Sequence, residues 1–359
     1  MPYVGLESKP VNRRIHGDED ARGAALDFAV NVLGNEPPRF VIDALTAAIP
    51  QLAAYPDAQE LAAVEALIAE QHGVDPRCVM LTNGAAEGFA LFAGLGIKTP
   101  AVVHPGFSEP EIIFRERGMD VSQLVLEPPF SRLGALGKCD SVVIGNPTNP
   151  TGQVFSPLML RRWAGDRILV VDEAFLDVVV QGEELSAIDL VAHGDDRLVV
   201  LRSLTKTWSI AGLRVGYMVA HPELIRRARL GRSHWPMGTL QLVAARAIMN
   251  RSKELLPDIV DEVAAHRSTM RTMLIEAGWT EASNSVAPYL LYRPNVLGLD
   301  PELVRRRLLE KGIAIRRCDT FPGLDTSYWR LAVREAPKVA QLLEAVAQTV
   351  TELTGEALQ

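Results

Sequence analysis

The segment RLVVLRSLTKTWSIAGLRVGYMVA, residues 197–220, decides how the chain folds. It opens on a short apolar run, RLVVL (197–201), and closes on another, VGYMVA (215–220). The polar stretch between them holds Lys206 and Arg214. Apolar runs of this length, rich in valine and leucine and without alternation, belong to strands buried on both faces. The intervening stretch then follows the end of a strand, where open α/β sheets present their ligand-binding groups. A lone lysine there is ordinarily a surface residue, so its meaning depends on what else the chain brings to that edge.

Similar runs lie upstream: VML (79–81), AVV (101–103), SVVIG (141–145) and ILVVD (168–172). Helical patterns separate them, such as ELAAVEALIAEQHG (60–73), which ends in a glycine as helices tend to. This alternation predicts an α/β unit with a mostly parallel sheet. After about residue 250 the texture changes. A helix over 253–277 is followed by VAPYLLYRP (286–294), a helix over 301–312, strands IAIRR (313–317) and WRLAVR (329–334), and a helix over 337–352. That order predicts a smaller α+β unit. The expected division is an N-terminal segment (1–37) packing with the small domain, a large domain (38–250) and a small domain (251–359).

Composition narrows the function. The 359 residues are 48% hydrophobic and 23% charged, as in ordinary globular proteins, with a net charge of −7. That balance argues against nucleic acid as a partner, and the basic runs RRARLGR (226–232) and RRR (305–307) read as solvated helix faces. The N-terminus is mixed in charge without the apolar core of a signal peptide, and the apolar stretch around FALFAGLGI is too short to cross a membrane. Cys78, Cys139 and Cys318 are widely spaced, so reduced thiols and a cytoplasmic location are expected. No HExxH or paired histidine spacing occurs, and no metal site is expected. GLGIKT (94–99) lacks the third glycine of a dinucleotide motif, and neither GxxxxGK[ST] nor GxSxG is present.

Four segments carry the chemistry in chain order. TNGAAEGFALFAGL (82–95) opens a helix on small residues whose N–H groups can hold a phosphate. GNPTNPTG (145–152) follows a strand, and its prolines set the backbone on which two asparagines are carried. ILVVDEAF (168–175) ends on Asp172 beside Glu173, and a carboxylate at the end of an apolar strand needs a partner. Ser203, Lys206 and Arg214 complete the series. Singly, each is more often a plain turn or strand end. In combination they offer what pyridoxal 5′-phosphate requires: an amine for its aldehyde, a carboxylate for its ring nitrogen, and N–H groups, a hydroxyl and a cation for its phosphate.

NPTNPTG, VVDEAF and SLTKTWSIAGLRVGY together resemble the three main signatures of the class I/II pyridoxal-phosphate aminotransferases, or fold type I. The spacings are compatible, with 23 positions from Asn149 to Asp172 and 34 from Asp172 to Lys206. The resemblance extends from LDFAVNVLGNEPP (26–38) to WRLAVR (329–334). It implies a large domain with a mostly parallel seven-stranded sheet, a smaller α+β domain, and these roles. Lys206 binds the cofactor aldehyde and handles the substrate proton. Asp172 pairs with the ring nitrogen and Asn149 with the phenolic oxygen. Gly84, Ala85, Ala86, Ser203 and Arg214 hold the phosphate, and Phe107 stacks on the ring. Tyr55 reaches the phosphate of a neighbouring subunit, implying a homodimer, and Arg330 clamps a substrate carboxylate. On their own, Phe107 and Tyr55 would read as packing residues.

Two departures bear on the reaction. Phe175 stands where many members carry a tyrosine that touches the phenolic oxygen, and NVLGNEPP, which holds Asn31 in the substrate-covering segment, lacks the usual NP pair. DEAFLD and RLAVR are more similar to the threonine-phosphate decarboxylases of the cobalamin pathway, a branch near the histidinol-phosphate aminotransferases. Arg316 matches an arginine aimed there at a distal phosphate, and Arg334 is a further candidate. Several arginines suit a small amino substrate bearing both a carboxylate and a phosphate. The resemblance therefore leans to L-threonine O-3-phosphate decarboxylase chemistry, with histidinol-phosphate transamination as the alternative. A non-enzymatic cofactor-binding regulator fits less well, because only about 25 residues precede the first family motif, too few for a DNA-binding domain.

Overall fold

The computed structural model describes residues 17–355. Residues 1–16 of the expected N-terminal segment, and with them most of the stretch read for a signal peptide, lie outside the described residues. Within the described part, β1 (Leu26–Asp27) is followed by the strands of the main sheet: β2 (Val79–Thr82), β3 (Pro100–His104), β4 (Ser122–Val125), β5 (Ser141–Gly145), β6 (Ile168–Asp172), β7 (Leu198–Ser203) and β8 (Gly216–Ala220). Their spatial order is β2-β8-β7-β6-β5-β3-β4. The pairings from β7 to β4 are parallel, whereas β8 runs antiparallel between β2 and β7. The apolar runs become strands because helices cover both faces: β5, β6 and β7 have buried interiors, and residues on their two sides enter two separate apolar clusters. The sequence reading did not find β4, since SQLV is mostly exposed and polar at the sheet edge.

Register places the chemistry. Gly145 lies opposite Asp172, and Asp172 opposite Leu201, so the ends of β5, β6 and β7 are level. Gly216 is the partner of both Thr82 and Ser203, which brings the turn at Gly84 beside the loop of Lys206. A Cβ on Gly216 would lie 2.6 Å from the carbonyl of Arg202 and 2.9 Å from the N–H of Ala85, so that close approach requires glycine.

The helix Thr239–Glu276 begins well before the expected residue 253 and contains Pro257. Its first turns bury Leu242, Ala245 and Ile248 against the large core, and its last bury Met270 and Leu274 in a second core. That second core underlies a four-stranded sheet of β9 (Thr280–Glu281), β10 (Tyr289–Arg293), β12 (Arg316–Arg317) and β13 (Trp329–Ala332). IAIRR does not form one strand. It breaks at Ile315, so that β11 (Ile313–Ala314) pairs with β1 while β12 pairs with β13. The N-terminal segment is thus joined to the C-terminal part by a short parallel ladder.

Candidate active site

A cavity of about 550 Å³ opens at the carboxyl ends of β5, β6 and β7. Asn31, Ala85, Ala86, Phe107, Asn149, Asp172, Phe175, Ser203, Lys206, Arg214, Arg316 and Arg330 line it. These side chains come from separate elements that the sheet register brings to one edge.

At one end, the turn Asn83–Ala85 starts the helix Ala85–Ala93, with Gly84 in the left-handed region at φ 74°. A Cβ there would stand 2.6 Å from Nη2 of Arg214, so the guanidinium packs directly over the turn. Ser203 Oγ lies 2.6 Å from Oγ1 of Thr205, and both residues are buried. N–H groups, two hydroxyls and a cation thus converge as in an anion site. Thr205 lines the cavity too and was missed by the sequence reading, although its place beside Lys206 in SLTK was a signal.

At the floor, Asp172 accepts a hydrogen bond from the N–H of Ala174 at 3.1 Å and has no cationic partner among the described residues. Burial raises its pKa to about 6, the Ala174 bond opposes the rise, and adjacent Glu173 adds to it. Glu173 faces the other way, buried on Arg202 at 2.9 Å, Ser186 and Ala187. Of the two carboxylates only Asp172 is left for a ligand. Lys206 lies nearby, its pKa lowered to about 8 by burial and by Arg214 and Arg330, with Asp18 opposing. Asp18 also lines the cavity and carried no sequence signal.

The two asparagines of GNPTNPTG separate. Asn146 exchanges hydrogen bonds with the backbone of Phe155 and closes the loop, whereas Asn149 faces the cavity. Asn149 Oδ1 accepts from Arg330 Nη1 at 3.0 Å, which leaves its Nδ2 hydrogens for an acceptor in the cavity. Phe175 packs edge-on against Tyr289 with ring centroids 5.0 Å apart. Phe107 lies in the wall, 6.5 Å from the ring of Phe89.

At the far end, Arg316 and Arg330 are cross-strand partners on β12 and β13, each only 5% exposed. Arg330 also donates to the carbonyl of Ala29, and Arg316 donates to Thr320 Oγ1 at 2.7 Å. Arg316 Nη1, Arg330 Nε and both polar side-chain atoms of Asn31 are buried without hydrogen-bond partners. Burial, reinforced by Arg316, lowers the pKa of Arg330 to about 10.

Two candidates lie elsewhere. Arg334 does not line the cavity: its guanidinium donates to the carbonyls of Asp27, Val30 and Val333 at 2.8–3.0 Å and approaches that of Val32 at 3.4 Å. Tyr55 is 76% exposed and stacks on Trp235, with ring centroids 4.1 Å apart.

The donor set fits pyridoxal phosphate: an anion cradle that leaves no room for a side chain at Gly84, an unpaired buried carboxylate, and a buried amine of lowered pKa. Comparison with known proteins agrees. The family model for aminotransferase class I and II matches residues 24–346. A histidinol-phosphate aminotransferase of Mycobacterium tuberculosis is 42% identical over 355 residues, covering 96% of this chain and 93% of that protein. The threonine-phosphate decarboxylase of Salmonella typhimurium is 29% identical over 344 residues, with 91% of each chain covered. Histidinol-phosphate aminotransferase from Sinorhizobium meliloti, solved with pyridoxal-5′-phosphate, shares the fold at a TM-score of 0.81 and 19% identity, covering 99% of this chain and 96% of that one. With its α/β sheet, this chain belongs to the class I and II aminotransferase family and is a pyridoxal-phosphate-dependent enzyme.

Proposed function

We propose that the enzyme acts on a small amino acid bearing a second anionic group, and that it decarboxylates L-threonine O-3-phosphate or a close analogue. The observation that carries this is the pair of buried neighbours Arg316 and Arg330, with unpartnered N–H groups beside an unpartnered Asn31. Two buried guanidinium groups without carboxylates are costly unless a ligand brings the anions. A carboxylate on Arg330 and a phosphate on Arg316 and Asn31 meet that need.

Pyridoxal phosphate, when bound, supplies a conjugated ring that accepts the electron pair left at the substrate Cα. Gly84, Ala85, Ala86, Ser203, Thr205 and Arg214 hold its phosphate. Asp172, ionised, keeps the ring nitrogen protonated. Asn149 Nδ2 would donate to the ring oxygen, and Phe107 would pack against the ring. Lys206 would hold the aldehyde carbon as a neutral amine and, once released and protonated, would deliver to Cα the proton that replaces the departing carboxyl group. Phe175 brings no hydroxyl to the ring oxygen, so Asn149 is its side-chain donor.

Histidinol-phosphate transamination is the second reading, favoured by the name of the 42% identical mycobacterial relative. Its amino donor has no carboxylate, so Arg330 would meet one only from the keto-acid acceptor in the second half-reaction, whereas phosphothreonine supplies both anions at once. Incubation of the holoenzyme with O-phospho-L-threonine should release carbon dioxide and an amino-alcohol phosphate. Turnover of histidinol phosphate with 2-oxoglutarate, and no carbon dioxide from phosphothreonine, would overturn the proposal. We also infer a homodimer and a cytoplasmic location. The first is supported by the exposed Tyr55–Trp235 stack with exposed Ile49 and Leu52 on the preceding turn, the second by three free cysteines.

A further inference from the structure

Gln241 lies in the first turn of the helix Thr239–Glu276 and is not among the residues that line the cavity. Its side chain nevertheless ties together both halves of the anion cradle. Gln241 Nε2 donates to Oδ1 of Asn83 at 2.8 Å and to the carbonyl of Arg214 at 2.8 Å, with that of Leu213 at 3.2 Å. Gln241 Oε1 accepts from the N–H of Gly238 at 2.6 Å, which fixes the amide's orientation.

Each partner is adjacent to a cradle group. Asn83 directly precedes Gly84, and its own amide is committed to Glu87 and to the carbonyl of Pro236. Glu87 is held in turn by Arg232 at 2.8 and 3.1 Å. Arg214 adopts the left-handed conformation, φ 58° and ψ 69°, which a residue with a side chain enters at a cost. The bond from Gln241 to its carbonyl offsets that cost and sets the direction from which the guanidinium reaches over Gly84. Besides that link, the two loops meet through the packing of the Arg214 guanidinium over Gly84 and through the β2 and β8 ladder behind them.

We infer that Gln241 is a positioning residue for the cofactor phosphate, holding the Arg214 loop against the Gly84 turn from outside the cavity. This rests on the reading that those two elements bind the phosphate. The inference is specific to one end of the cofactor, and that is what the experiment reads. Full-length apoprotein is titrated with pyridoxal 5′-phosphate and, separately, with pyridoxal, which lacks the phosphate but keeps the aldehyde. Binding is followed by absorbance, and folding by melting temperature.

Gln241→Met, which keeps the volume and removes the amide, is expected to raise the Kd for pyridoxal phosphate about tenfold, the scale of one lost hydrogen bond in a preorganised site. The Kd for pyridoxal should stay within about twofold of wild type. Equal weakening of both ligands, or of neither, would overturn the inference. Arg214→Met serves as the reference. If it loses pyridoxal phosphate selectively and Gln241→Met does not, the phosphate reading stands and the role of Gln241 fails. If Arg214→Met weakens both ligands alike, the phosphate reading fails and takes the inference with it. Should Gln241→Met not fold, Asn83→Ala cuts the same link from its other end and must show the same selective loss.

Discussion

Asp172 and Lys206 share one cavity and pose opposite electrostatic problems. Burial disfavours the charged form of each, raising the acid to about 6 and lowering the amine to about 8. For Asp172 the folded pKa lies above its unfolded value of 3.8. The ionised carboxylate therefore destabilises the apoprotein above pH 6, and that penalty is relieved as pH falls from 6 towards 4. Asp172→Asn should raise apoprotein stability at pH 7 by about 1–2 kcal/mol, flatten this pH dependence, and weaken cofactor retention at least ~100-fold. Melting temperatures of apo and loaded protein across pH would check it. For Lys206 the neutral amine is the reactive form. Capture of pyridoxal phosphate should accelerate by about tenfold per pH unit below 8 and level off above, as measured by stopped-flow absorbance. Lys206→Ala should abolish borohydride fixation of the cofactor to the chain at every pH. The residue types were legible in order, but only the family resemblance, and no local pattern, singled out Asp172 over Glu173 and Asn149 over Asn146. Those choices depend on which side of a strand or loop faces the cavity.

Among the elements, β8 and the N-terminal segment carry the most consequence. Gly216 permits β8 to pass between Thr82 and Ser203, so Gly216→Val drives a side chain into the carbonyl of Arg202 and the N–H of Ala85. A loss of about 2–4 kcal/mol is expected on denaturant unfolding, with weakened cofactor binding. Arg334 was expected to meet substrate from its place in WRLAVR. It instead satisfies backbone carbonyls of residues 27–33 that a two-residue β1 leaves unpaired. Arg334→Met should lower stability by about 1–3 kcal/mol and raise KM with little change in kcat, because the segment that holds Asn31 loosens while the chemistry stays in place. Melting temperature read beside the kinetics separates this from a direct contact with substrate, which would raise KM without lowering stability. The apolar runs predicted six strands of the main sheet because doubly covered strands need no polar face. The edge strand β4 and the break within IAIRR escaped notice, since partner identity and not hydrophobicity defines them.

Across the whole molecule, the cavity draws on both cores. Asn149, from the large sheet, donates nothing to Arg330 but accepts from it, and Ser283 and Tyr289 of the C-terminal part bond the carbonyls of Thr151 and Thr148 in the same loop. The exposed Tyr55 has no function within its own chain's cavity. If it completes the site of a second copy, mixing Lys206→Ala and Tyr55→Ala subunits should restore activity in about a quarter of all sites, because half of the dimers are mixed and each then has one intact site. Activity equal to the average of the separate variants would sink the dimer reading, and sedimentation would report the oligomer directly.

The sequence by itself determined the sheet-forming segments, the cofactor chemistry and the order in which its ligands appear, because apolar periodicity and residue type are local properties. Tertiary structure alone decided that Arg334 serves the backbone, that Thr205 and Asp18 join the site, and that Gln241 stands behind it. Each of these depends on register and on contacts between residues distant in the chain, which no local pattern encodes.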